Sequence, residues 1–104
     1  MPAISVCFVS CSGAAEAEKI GKALVKKRLV ACANIVPKIS SVYRWNGKVK
    51  RSREALLLLK TKKSLHKKIA AEIKKLHSFE LPAIEFIEAE TTRMAQKWVF
   101  GETL

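Results

Sequence analysis

The spacing of hydrophobic residues along the chain predicts a series of strands and helices. Residues 4–10 are β-branched and aromatic, which is typical of a buried strand. Residues 14–29 and 65–77 repeat apolar positions at steps of three and four, as amphipathic helices do. Residues 83–89 alternate between apolar residues and glutamates, which predicts a strand with one solvated face. Residues 91–100 are predicted to form a short terminal helix.

The segment between the first and second helices predicts an unusually long β-hairpin. Residues 31–45 have strand character apart from Pro37, and a proline in a strand indicates an edge position or a bulge. Asn46-Gly47 is typical of a type I′ hairpin turn, and residues 48–60 would form the returning arm. Each arm could run about 13–15 residues, or roughly 45 Å, whereas typical strands have about 5–6 residues. Because a lone two-stranded ribbon is marginal in water, we expect the projecting tip, residues 43–53, to pair with another subunit.

The predicted elements follow the order β-α-β-β-α-β-α in a chain of 104 residues, a length that suits one domain. This order predicts an α+β fold in a single domain over residues 1–104, with a ferredoxin-like split β-α-β sheet and the long hairpin at its centre. The run from Ala55 to Leu59 is continuously apolar, so we expect its strand to be buried on both faces. Ser12 and Ser64 are predicted to cap the first two helices.

The charge of the chain is strongly positive and unevenly distributed. Twenty lysines and arginines oppose nine acids, all of them glutamates, which gives a formal net charge of +11. Residues 38–68 contain eleven of the basic residues and one acid, whereas residues 80–102 contain five glutamates and two basic residues. A basic middle and an acidic end can attract anions or pair one subunit with another.

The hydropathy of the chain bears on where it works. No apolar run approaches the roughly 20 residues that a membrane span needs. The first residues lack the basic and apolar parts of a signal peptide. We therefore expect a cytoplasmic protein with no membrane partner.

No catalytic motif is visible, and we expect a protein that is not an enzyme. The sequence has no aspartate, no GxSxG, no P-loop and no GxGxxG. Cys7, Cys11 and Cys32 lack zinc-type spacing and are interpreted as buried or half-buried free thiols. His77 ends the second helix, where it is either a cation favoured by the helix dipole or a metal ligand. His66 stands among lysines and is interpreted as solvated.

The basic middle of the chain raises the alternative of a nucleic-acid-binding protein. Tyr43 and Trp45 lie next to Arg44 and close to Lys48, and such aromatic residues could stack on bases. However, the aromatic pattern of RNA-recognition strands is absent, because the equivalent run is aliphatic. Aromatic residues on a hairpin tip suit a protein interface at least as well. We therefore do not expect nucleic acid as a partner.

Several motifs, spaced over nearly the whole chain, resemble the CutA divalent-cation-tolerance family. They are Ala31-Cys32-Ala33-Asn34-Ile35-Val36-Pro37, Ser41-Val42-Tyr43-Arg44-Trp45-Asn46-Gly47-Lys48, Glu54, Leu58-Leu59-Lys60-Thr61, then His77, Phe79 and Pro82 in the pattern His-x-aromatic-x-x-Pro, and Trp98. The resemblance implies a ferredoxin-like subunit that assembles as a homotrimer through its hairpin arms and its C-terminal segment. We expect Tyr43, Trp45 and Trp98 at that interface. The resemblance also implies a binding or signalling-like role in the response to metal ions.

The resemblance further implies a copper site, with copper or another divalent cation as a possible rather than a required ligand. The family's proposed ligands correspond to Cys11 and His77 in this sequence. The acid that follows the loop proline in the family is Ala83 here, and a preceding histidine found in some members is Leu76. Glu80 is a candidate for the missing acid. A thiolate with an imidazole suits copper better than Mg²⁺.

A second hypothesis is a PII-like trimeric receptor for an anionic small molecule. In this hypothesis Lys60, Trp45 and Glu54 line a binding cleft between subunits, with Arg44 or Arg53 as further cations. Both hypotheses require the same homotrimer, and they differ in the charge of the ligand.

Overall fold

A computed structural model describes all 104 residues as one sheet with three helices. The elements are β1 (Ala3–Cys11), α1 (Ala14–Lys26), β2 (Cys32–Trp45), β3 (Lys48–Thr61), a 3₁₀ turn (Lys63–Leu65), α2 (His66–Leu76), β4 (Ile84–Glu90) and α3 (Arg93–Glu102). All neighbouring strands are antiparallel, in the order β2-β3-β1-β4. Because β3 lies between β1 and β2, the sheet has the split β-α-β arrangement, and the predicted α+β class is confirmed.

One face of the sheet holds the core of the protein. Cys7, Val9 and Cys11 of β1 alternate with outward residues and are almost completely buried, as are Leu57 and Leu59 of β3. The apolar stripes of α1 and α2 cover this face, with Ile20, Leu24, Ile69 and Ile73 fully buried. None of the three helices has both the length and the apolar character needed to cross a membrane.

The opposite face of the sheet is also apolar, but within one chain it is only partly covered. Val6, Phe8, Leu56 and Leu58 are half-buried there, and Ile87 is 49 % exposed. The helix α3 packs where β1 begins, since the Gln96 side-chain amide donates a hydrogen bond to the carbonyl of Ala3. The prediction that β3 is buried on both faces is therefore met on one face only.

The hairpin of β2 and β3 has the length and the turn that the sequence predicts. Each strand has 14 residues, and the turn residues Asn46 and Gly47 have φ angles of +52° and +76°. Pro37 marks a bulge, because the pairing register shifts between Val36 and Ile39. β1 pairs with β3 only as far as Ala55, so the rest of the hairpin extends beyond its neighbour and the molecule is 44 Å long.

The two predicted serine caps are wrong. α1 begins after Gly13 without a side-chain cap, and Ser12 instead donates its backbone N–H to the carboxylate of Glu16. Ser64 lies inside the 3₁₀ turn, and α2 also begins without a side-chain cap. Only α3 has a capping side chain, because the Thr92 hydroxyl accepts the N–H of Ala95.

His66 is not solvated, contrary to the prediction. Its Nε2 lies 2.7 Å from the hydroxyl of Ser5, and its ring stacks on Phe86 with centroids 3.9 Å apart. Burial, helped by the charge of Lys63, lowers the pKa of His66 below its ordinary value. The neutral ring therefore connects the start of α2 to β1 through the contact with Ser5 and to β4 through the stacking on Phe86.

Gly21 allows α1 to approach the sheet closely. A Cβ at this position would lie 2.8 Å from the Cβ of Ala33 and 3.3 Å from Cδ1 of Leu57. Both neighbours belong to strands that anchor the core, so they have little room to give way. Position 21 thus requires glycine because of the close packing around it, and not because of its backbone conformation.

We predict that Gly21→Ala lowers the stability of the protein although alanine is the better helix former. The helical preference gains about 1 kcal/mol, but overpacking of a filled core typically costs about 1–3 kcal/mol. Gly101→Ala is the matched control, because a Cβ there meets nothing within 4 Å. Thermal unfolding should show a lower Tm for Gly21→Ala and an equal or higher Tm for Gly101→Ala. A rise in Tm for both variants would contradict the packing argument.

Candidate functional site

Three potential metal ligands meet at the end of the sheet where β1 stops. Cys11 is the last residue of β1, Glu16 lies in the first turn of α1, and His77 directly follows α2. Their ligand atoms all lie within 4.8 Å of one another. The fold creates this cluster because the end of β1, the start of α1 and the end of α2 share one edge of the core.

The imidazole of His77 is held in one tautomer by two backbone groups. Its side chain is completely buried, and Nε2 donates a hydrogen bond to the carbonyl oxygen of Ser10 at 2.8 Å. Nδ1 accepts the backbone N–H of Phe79 at 3.0 Å, so this nitrogen carries no proton. The ring is therefore neutral and does not serve as a cation for the helix dipole, and its Nδ1 is the nitrogen with a lone pair.

Glu16 joins the loops on either side of the site. One carboxylate oxygen accepts the N–H of Ser12 and the other accepts the N–H of Ser78, each at 2.9 Å. Burial alone would raise the pKa of Glu16, but the hydrogen bonds from these two serines hold it below its ordinary value. The carboxylate is ionised at neutral pH and lies 3.9 Å from Nδ1 of His77.

Cys11 is a buried thiol with little reactivity of its own. Burial, followed by the negative charges of Glu16 and Glu54, raises its pKa to about 12. Burial and the charge of Glu85 raise the pKa of Cys7 to about 12 as well. All three cysteines are free, Cys32 being half-buried, which confirms their interpretation as buried or half-buried thiols.

The donor set fits a borderline or soft divalent cation. A thiolate, an imidazole and a carboxylate together suit copper or zinc, whereas Mg²⁺ and Ca²⁺ take oxygen ligands. Metal–ligand bonds of about 2.0–2.3 Å place the ligands of one ion roughly 3–4 Å apart. The present separations within 4.8 Å need only a small closure.

The structure supplies the acid of the cluster from a residue that the sequence prediction missed. Glu16, in the first turn of α1, takes the place that was assigned to Glu80 as a candidate. Glu80 is exposed and lies outside the cluster. One signal was present in the sequence, since Glu16 follows Cys11 by five residues across a short turn into a helix.

An open cleft of about 680 Å³ lies beside the cluster, between the projecting hairpin and the loop after α2. Tyr43, Trp45 and Glu54 belong to its hairpin wall, together with the cationic side chains of Lys50 and Arg53. The opposite wall comes from residues 78–81 and Ala83. The carboxylate of Glu54 accepts hydrogen bonds from Ser41 at 2.6 Å and from Ser52 at 3.0 Å.

Within one chain, only some of the residues predicted for a cleft between subunits lie together. Trp45 and Glu54 line this cleft, and so does Arg53, but Lys60 and Arg44 do not. Lys60 pairs with Val6 near the other end of β3, far from the hairpin tip. Of the predicted interface residues, Tyr43 and Trp45 are 40 % and 36 % exposed on the hairpin, and Trp98 is 49 % exposed on α3.

The cleft and the ligand cluster share a wall. Ser12, Ser78 and Phe79 line the cleft, and their backbone N–H groups are the ones that Glu16 and His77 hold. Any ligand that draws Glu16 or Nδ1 of His77 away would free these N–H groups beside the cleft.

Comparisons with known proteins agree on one family. The family model described as CutA1 divalent ion tolerance protein matches residues 5–101. A divalent-cation tolerance protein CutA from Thermus thermophilus is 42 % identical, over 84 % of this chain and 85 % of its own length. Human protein CutA is 34 % identical over 84 % of this chain. The chain spans about half the length of the mammalian relatives that it matches, 49 % for the human and mouse proteins.

Solved structures give the same result. A divalent cation tolerance protein from Thermus thermophilus superimposes with a TM-score of 0.93 at 38 % identity, covering 96 % of this chain and 98 % of the other. CutA1 from Oryza sativa superimposes with a TM-score of 0.91 at 30 % identity, covering 100 % and 95 %. Among the relatives, an Archaeoglobus fulgidus protein is described as periplasmic and an Arabidopsis thaliana protein as chloroplastic. In fold and in sequence, the chain belongs to the CutA1 divalent ion tolerance family.

Proposed function

We propose that this protein is a homotrimer that binds a divalent transition-metal ion, with copper as the expected ion, and that it serves metal tolerance by binding rather than by catalysis. The observation that carries the proposal is the cluster of Cys11, Glu16 and His77 within 4.8 Å. A buried thiol with a pKa near 12 is a poor nucleophile, which argues against a catalytic role for Cys11. The cytoplasmic location stays a prediction.

The residues around the cluster prepare His77 to act as a ligand. The carbonyl of Ser10 holds Nε2–H and thereby fixes both the tautomer and the direction of Nδ1, as outer partners of metal-bound histidines do. Coordination through Nδ1 would release the N–H of Phe79. Cys11 would lose its proton on binding, so the affinity should increase with pH.

We predict that Cu²⁺ binds this cluster with a defined affinity and that Cys11→Ser, Glu16→Gln and His77→Gln each weaken the binding at least about tenfold. Isothermal titration calorimetry measures the effect, with Zn²⁺ as a redox-inert comparison and Mg²⁺ as a hard cation that should not bind. His66→Gln is the matched control, because His66 bonds Ser5 and lies outside the cluster. Equal affinities for all four variants would reject this site.

The open face of the sheet supports the proposed assembly. Val6, Phe8, Leu56 and Leu58 form a half-buried apolar patch, and contiguous patches of this kind commonly mark interfaces. Ile87 extends the patch, because it is the direct cross-strand partner of Val6. Three copies is the number that the resemblance implies, and a second copy would complete the burial of β3 on both faces.

The charges of the two sheet edges support contact between copies. The hairpin beyond the bulge carries Lys48, Lys50, Arg51 and Arg53 on β3, all of them exposed. The opposite edge of the sheet, β4, carries the exposed Glu85, Glu88 and Glu90. The basic hairpin of one copy therefore complements the acidic edge of the next.

We predict that the wild-type protein has the mass of three chains in solution and that Ile87→Glu shifts it towards one chain. A buried unpaired carboxylate would be costly in the proposed interface, whereas Ile87 is already half-exposed in the single chain, so the subunit should still fold. Multi-angle light scattering measures the mass and circular dichroism the fold. Val25→Glu replaces a valine on the helix side that is 40 % exposed, comparable with Ile87, and should keep the trimer. A monomeric wild type would contradict the assembly.

The cleft beside the hairpin supports a second candidate function, a receptor for a small anion. Lys50 and Arg53 supply positive charge, and the hydroxyls of Ser12 and Ser78 could donate hydrogen bonds. Aromatic side chains of Tyr43 and Trp45 would cover an organic ligand.

We predict for this candidate that inorganic phosphate raises the Tm of the wild type and that the rise is lost in Arg53→Gln with Lys50→Gln. Binding to the native state alone stabilises it by mass action. Lys60→Gln removes a cation outside the cleft and should keep the effect. Equal phosphate stabilisation of all three proteins would assign the effect to general charge screening.

A further inference from the structure

The outer faces of α1 and α2 form a continuous basic surface, the helix-face lysines. On α1, Lys19, Lys22 and Lys26 recur at steps of three and four residues and are exposed. At 100° per residue they lie opposite the buried Ile20 and Leu24, so they point away from the sheet.

The second helix continues this surface. Its exposed lysines are Lys67, Lys68, Lys74 and Lys75. Lys67 and Lys74 lie opposite the buried Ile69 and Ile73, as the α1 lysines do on their own helix.

An ion-pair network joins the two rows. Glu72 of α2 pairs with Lys27, which follows α1, and with Lys75 at 3.4 Å. The two rows of lysines are therefore fixed side by side on one rigid layer.

Very little negative charge offsets this layer. Glu18 is the only exposed acid on the two helices, because Glu16 is held by backbone amides and Glu72 is buried in its lysine pairs. The excess lysines cost the fold self-repulsion and leave the apolar core unchanged. A surface of this kind suits a partner that carries many negative charges.

The side chains on this face identify which polyanion fits. The helices offer no asparagine, glutamine or arginine for reading base edges, and their one aromatic ring, that of His66, already stacks on Phe86. Their only large exposed apolar residue is Val25, whereas helices that bind membranes insert bulky apolar side chains into the lipid. What remains is an array of point charges, which suits phosphates held at regular spacing on a duplex.

We propose that the helix-face lysines bind the phosphate backbone of double-stranded nucleic acid without sequence preference. This surface differs from the hairpin aromatics, on which a nucleic-acid partner was not expected from the sequence. It uses neither the metal ligands nor the open face of the sheet, so it is independent of the proposed function. In the proposed trimer the helices remain on the outside, since it is the other face of each sheet that is covered.

A salt titration with matched variants tests this surface. The probe is a fluorescently labelled DNA duplex, and anisotropy measures its binding between about 50 and 200 mM KCl. The helix variant carries Lys19→Gln, Lys22→Gln and Lys26→Gln. The control variant carries Lys38→Gln, Arg93→Gln and Lys97→Gln, which removes three exposed charges that lie elsewhere. Circular dichroism verifies that both variants fold.

The two variants distinguish binding through the helix-face lysines from binding that depends only on the net charge of the protein. The helix variant should bind at least about tenfold more weakly. The magnitude of its slope of log affinity against log salt should decrease by about 2–3, because each phosphate contact contributes about 0.9 to that magnitude. The control variant should keep the wild-type slope. Equal losses in the two variants, or no duplex binding by the wild type at low salt, would overturn the proposal.

A parallel arm distinguishes nucleic acid from an anionic membrane. Vesicles of phosphatidylcholine mixed with phosphatidylserine are co-sedimented with the protein at the same salt concentrations. Binding to these vesicles, with none to the duplex, would overturn the proposal in favour of a lipid surface. Duplex binding that survives an excess of vesicles would support it.

Discussion

The sheet has two apolar faces, and the helices of its own chain cover only one of them. The covered face fixes α1 and α2 against β1 and β3 around Leu57 and Ile20, and this packing brings the ends of three elements together at Cys11. The open face leaves Leu58 and its neighbours half-buried, which is the physical reason to expect further copies of the chain. The outer sides of the same helices face solvent and carry the lysines. The candidate metal cluster, the proposed assembly surface and the basic layer thus all follow from this one division of the sheet.

The hairpin was largely predictable because its determinants are local. Asn46-Gly47 requires positive φ angles, Pro37 cannot donate to the ladder, and both act within a few residues of themselves. The starts of the helices were less predictable, because they depend on contacts beyond the serine that was expected to cap each helix. Ser12 lies one residue before Gly13, which directly precedes α1, so its hydroxyl does not cap the helix. Its backbone N–H instead donates to Glu16, whose other carboxylate oxygen accepts the N–H of Ser78 from the distant loop after α2.

The candidate site was only half predictable, because it joins residues from distant segments. Cys11 and His77 came from the family resemblance, whereas Glu16 is positioned by the packing of α1 on the sheet, which no local pattern reveals. The same holds for His66, whose place between Ser5 and Phe86 depends on strand register. The charge asymmetry in the sequence was visible, but the gathering of lysines from α1 and α2 onto one face required the fold.

A metal ion bound by Cys11, Glu16 and His77 would have a ligand shell that X-ray absorption spectroscopy of the Zn²⁺-loaded protein can identify. Zinc has the same donor preference and no redox chemistry with the thiol. We predict one sulfur ligand at about 2.3 Å together with nitrogen and oxygen ligands at about 2.0–2.2 Å. A shell of nitrogen and oxygen alone would show that Cys11 is not a ligand, and would contradict the proposed site.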